Sequence, residues 1–71
     1  MAFDYSKLLG KMKEAGITQQ QLAKSIGSTE TTLSLKFNNK AKFKQAEISA
    51  ICDVVGIKHD EIGEYFFTPK V

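Results

Sequence analysis

Arginine and tryptophan are absent from these 71 residues, and cysteine, histidine and proline occur once each. Each shortage removes a class of function. A lone Cys52 allows neither an internal disulfide nor a multi-cysteine metal site, and its place in the apolar stretch Ile48–Val55 suits a core thiol. A lone His59 has no second His or Cys to complete a metal site and reads as a surface residue near a helix start. With one His, one core-like Cys and no glycine-rich phosphate loop, no nucleophile–base pair can be assembled, so neither catalysis nor a cofactor is expected. No apolar run approaches the roughly 18–20 residues that a membrane span needs. Met1 to Tyr5 has no basic segment leading into an apolar one, so a secretory leader is not expected and the chain reads as cytoplasmic.

What is present is the material of a small globular domain. Apolar residues make up 42% and charged residues 25%, enough for one core and no more, so the whole chain is read as a single domain with its core over about residues 4–67. The net charge of +2 is unevenly spread. Lys36, Lys40, Lys42 and Lys44 lie in a stretch without acids, whereas Gln45 to Tyr65 sets Glu47, Asp53, Asp60, Glu61 and Glu64 against Lys58 alone. A basic loop beside an acidic C-terminal third favours a phosphate backbone on one side only.

Hydrophobic spacing predicts an all-α fold, a compact bundle of about five short helices. Tyr5, Leu8, Leu9 and Met12 follow the i, i+3, i+4, i+7 pattern of a helix over Phe3–Ala15, closed by Gly16. Thr18 followed three residues later by Gln21 is a capping box opening a second helix that buries Leu22, Ala23 and Ile26 and stops at Gly27. Ser28-Thr29-Glu30 caps a third helix reaching Phe37, with Asn38-Asn39 as its stop. Phe43 anchors the polar loop that follows. Ile48, Ile51, Cys52 and Val55 define a fourth helix ended by Gly56. Ile57 and Ile62 suit a hydrophobic staple at the start of a fifth helix over Asp60–Tyr65. Phe66 and Phe67 either cap the core or meet another copy of the chain.

The block from Gly16 to Asn39, GITQQQLAKSIGSTETTLSLKFNN, joins two short capped helices through a tight turn at Gly27. Steeply crossing helices need a small side chain where they approach and a turn residue free to take positive φ, and Ala23 and Gly27 meet these needs. This block resembles the helix-turn-helix of the Cro/CI-type family of phage repressors. With the C-terminal DEIGEYFF, the likeness extends to short Cro-like regulators, or antirepressors of the modulator-of-repression type, in temperate phages. The resemblance implies a transcriptional regulator in the host bacterial cytoplasm, with the third helix as its recognition element.

At 100° per residue, Leu33 and Phe37 point to the core and Leu35 points away, flanked by Thr31 and Thr32. The resemblance makes Glu30, Thr31, Thr32, Ser34 and Leu35 the candidates to face DNA bases or a protein partner. It makes Gln19, at the start of the second helix, and Asn38, Lys40 and Lys42, after the third, the candidates for phosphate contacts. Lys36 is expected to pack its stem while its ammonium reaches water. The first reading is binding to double-stranded operator DNA, as a homodimer formed through the fifth helix and Phe66–Phe67. The alternative is an antirepressor that uses the same face to bind the DNA-binding domain of a CI-type repressor. Two features bear on the choice. Glu30 opposes a polyanion unless it accepts from cytosine, and the absence of arginine removes the commonest reader of guanine.

Overall fold

The computed structural model describes residues 2–70. Its elements run α1 (Ser6–Glu14), α2 (Gln19–Ser25), α3 (Glu30–Phe37), α4 (Gln45–Val55), a 3₁₀ turn at His59–Glu61, and α5 (Ile62–Phe66). The chain is all-helical, as the spacing predicts, and among the described residues the only extended pairing is an isolated antiparallel bridge between Phe3 and Pro69.

That bridge explains why α1 starts at Ser6 rather than at Phe3. The Asp4 N–H donates to the Thr68 carbonyl at 2.7 Å and the Lys70 N–H to the Ala2 carbonyl at 3.0 Å. The first residues are thus held extended along the C-terminal segment. The helix begins where the Asp4 carboxylate accepts the Ser6 N–H at 2.9 Å.

Leu8, Leu22, Leu33, Ile51 and Phe66 are the largest fully buried side chains, one from each helix. Beside them an aromatic cluster extends the core. Tyr5, Phe37 and Phe66 each meet the Phe43 ring edge-on, at centroid distances of 5.4–5.5 Å. Such pairs add about 0.5–1.5 kcal/mol each beyond their buried area, which is how Phe43 anchors the lysine-rich loop. Ile57 is buried and Ile62 half-buried across the start of the 3₁₀ turn, where the Lys58 N–H donates to Glu61 at 3.1 Å. The last helical segment therefore opens as a 3₁₀ turn before continuing as α5.

Leu9 and Lys36 depart from their expected places, and Phe66 and Phe67 part from each other. Leu9 is 38% exposed, because Tyr5, Leu8 and Met12 fill the inward face of α1 and Leu9 falls on its flank beside Phe37 and Asn38. Phe66 is in the core whereas Phe67 is half exposed, edge-on to Phe3 at 5.6 Å. Consecutive residues at a helix end cannot share a direction, so Phe66 is unavailable to a second copy. Lys36 does not send its ammonium to water. It is 5% exposed and paired with Glu47 on α4.

Candidate functional site

The surface of interest is built by α2, the turn Ile26–Thr29 and α3. At the entry to α2, the Thr18 Oγ1 accepts the Gln21 N–H at 3.1 Å and the Gln21 Oε1 accepts the Thr18 N–H at 2.9 Å. This satisfies two of the otherwise unpaired groups of the first turn. Gly27 takes φ +70°, a left-handed conformation that costs a side-chain-bearing residue about 1 kcal/mol or more. It lets the Ser28 N–H return to the Ala23 carbonyl at 2.8 Å. Ala23, 3% exposed, has the small side chain that allows α3 to pack closely on α2. Thr29 then caps α3, its Oγ1 accepting the Thr32 N–H at 3.1 Å.

With Leu33 and Lys36 turned inward, α3 leaves Glu30, Thr31, Ser34 and Leu35 exposed. These four and Gln19 from α2 line one shallow depression. Leu35, 44% exposed, is its apolar element; Glu30 is its only charged one. The acid sits in the first turn of α3, where the helix dipole favours it by about 0.3–1 kcal/mol.

The remaining candidates lie elsewhere. Thr32 is half-buried and its hydroxyl accepts from the Thr29 hydroxyl at 2.8 Å, which commits it to the cap. The Asn38 amide is turned back onto its own helix, donating to the Ser34 carbonyl at 2.7 Å. Lys42 borders a separate groove with Phe3, Phe43 and Phe67, and Lys40 is exposed outside the depression. Of the four candidates for phosphate contacts, Gln19 lines the depression, Asn38 borders it through Ser34, and the two lysines lie outside its lining.

Two contributors escaped sequence reasoning because their partners are distant in the chain. Asn39, at φ +61°, accepts the Phe3 N–H at 2.8 Å and donates to the Phe3 carbonyl at 2.9 Å. It ties the end of α3 to the N-terminal segment; its place after a helix signalled only a stop. Glu47 accepts from Lys36 through one oxygen and from the Lys44 N–H through the other at 2.8 Å. Burial alone would raise the Glu47 carboxyl. The hydrogen bonds from Lys36 and Lys44 and their charges outweigh burial and hold it below the usual range. Cys52 is a free buried thiol, pushed up first by burial and then by the charge of Asp53.

The depression itself thus holds one leucine, one acid, hydroxyls, an amide and no cation. Residues 1–69 match the family described as Protein of unknown function (DUF739). The chain belongs to the DUF739 family. No curated protein matches this DUF739 chain. Among solved structures it is similar to the solution structure of the modulator of repression (MOR) of the temperate bacteriophage TP901-1 from Lactococcus lactis. The two share 42% identity with a TM-score of 0.79, covering 100% of this chain and 96% of that one. Of the two phage regulator types that the DUF739 sequence resembles, this neighbour is of the modulator type. No helix among the described residues is long and apolar enough to cross a membrane.

Proposed function

We propose that this chain is an antirepressor of a temperate-phage switch, a binding protein without catalytic activity. Its α2–α3 pair acts as a helix-turn-helix whose outer face docks on the DNA-binding domain of a CI-type repressor. The observation that carries this reading is the end-to-end likeness, at 42% identity, to a phage modulator of repression.

The chemistry of the face supports the same choice over operator DNA. Duplex DNA presents closely spaced negative charges, and a binder needs several cations aimed at them. Here the depression holds Glu30 and no lysine. A repressor's DNA-reading surface carries the opposite charge, because it has evolved to meet phosphates. Glu30 would pair with that surface, and Leu35 would enter an apolar pocket within it. Occupying that surface removes it from DNA, so repression is relieved by competition, with no chemical step.

The test is a pair of calorimetric titrations, one against the DNA-binding domain of the repressor from the same phage and one against promoter DNA. Each is run at about 50 and 200 mM salt, a range over which a protein with several phosphate contacts loses orders of magnitude in affinity. A repressor complex with a shallow salt dependence, which displaces operator DNA, is expected. Tight promoter binding with a steep salt slope and no repressor complex would overturn the reading.

A further inference from the structure

The helix that carries the docking face meets the rest of the fold through few side chains of its own. Of its eight residues only Leu33 and Lys36 are buried, with Phe37 half-buried at its end. Apolar contact is non-directional. Leu33, the Phe37 ring edge-on to Tyr5 and Phe43, and the Asn39–Phe3 pair beyond its end hold α3 against the core, but none of them fixes the middle of the helix by a directional contact.

The second buried position is a cation. Lys36 is 5% exposed and donates to Glu47, whose side chain is 19% exposed. Glu47 is itself held, because its other oxygen accepts the Lys44 N–H at the first turn of α4. One carboxylate thus caps α4 and grips α3. Stability does not account for this choice, since well-packed apolar residues of the same volume commonly equal or exceed a buried ion pair. An ion pair supplies direction instead: the contact is made over a narrow range of α3 rotation and lost on either side.

We propose that Glu47 is a positioning residue: through Lys36 it sets the rotation of α3, and hence the angle at which Glu30, Thr31, Ser34 and Leu35 meet a partner, without touching that partner. The link to binding rests on the repressor-docking reading of this face; the rotation of α3 does not.

The experiment compares the parent with Lys36→Met/Glu47→Gln. Met replaces the lysine stem and Gln keeps an oxygen for the Lys44 N–H. Three quantities are read: the thermal midpoint, the residual dipolar couplings of α3 amides relative to α1 and α4, and affinity for the repressor's DNA-binding domain. The midpoint is expected to stay within about 3 °C of the parent, the α3 couplings to shift in phase while those of α1 and α4 do not, and affinity to fall about tenfold. Unchanged α3 couplings overturn the role. So does affinity within about twofold of the parent, or a midpoint lower by more than about 10 °C with affinity falling in step, which marks a purely structural pair. If the parent binds no repressor, the docking reading fails and the couplings alone decide the rotation. Should the double variant not fold, Lys36→Met, which leaves the Glu47–Lys44 cap whole, is read against the same outcomes.

Discussion

Replacing Leu35 with Ala separates a docking residue from a structural one, because the two roles predict opposite pairs of numbers. Full burial of a leucine side chain is worth about 1.5–3 kcal/mol. Leu35 is already partly covered in the free protein, at 44% exposure, so the transfer free energy left for a partner is about 0.7–1.3 kcal/mol. Truncation also leaves a void in the partner's pocket, which adds a cavity penalty of comparable size. Together these give about 2 kcal/mol, or roughly a 30-fold rise in Kd, the magnitude of an interface hot spot. The free protein should hardly notice, since an exposed substitution costs about 0.5 kcal/mol or less and Ala favours a helix. Titration calorimetry with the repressor domain reads the first quantity and thermal unfolding by circular dichroism the second. A Kd within about threefold of the parent would refute the assignment of this face, as would a midpoint lowered by more than about 8 °C, which would place Leu35 in the core.

Glu30→Gln is expected to weaken repressor binding about three- to tenfold by removing the one charge of the depression; were DNA the partner, the same change would preserve or tighten binding, and gel-shift and calorimetric titrations distinguish the two. Leu33→Ala, at a position with no exposure, should cost about 3 kcal/mol and lower the thermal midpoint by roughly 10–20 °C. Thr18→Ala removes half of the α2 capping box and should cost about 1 kcal/mol in chemical denaturation. Glu47 adds a pH signature. Its carboxyl is held below the ordinary glutamate value of 4.5, so its stabilising contribution is complete above that value and is lost as pH falls through the lower, folded-state pKa. The gap in thermal midpoint between the parent and Glu47→Gln should therefore be widest near neutral pH and shrink as pH drops below about 4.5; a gap that widens on acidification would contradict the sign.

Local chemistry was enough to locate the helices and their caps. Thr18 with Gln21, Thr29, Gly27 and Gly56 each act within a few residues of themselves, so a linear reading contains all that they respond to. The inside and outside of α3 were legible for the same reason, because 100° per residue separates Leu33 from Leu35 whatever surrounds them. The fate of the lysines was not legible. Charge density along the chain suggested one basic face, yet Lys36 turns inward to Glu47 and Lys42 borders a groove other than the depression on α3. Pairing of Lys36 with Glu47, the tie from Asn39 to Phe3 and the split between Phe66 and Phe67 depend on segments brought together only by packing. Sequence alone thus determined the order of the helices and which side of α3 is free, though not where α1 and α5 begin. Tertiary structure decided which charges remain available on that side, because a lysine's preference between water and a carboxylate depends on what the fold places within its reach.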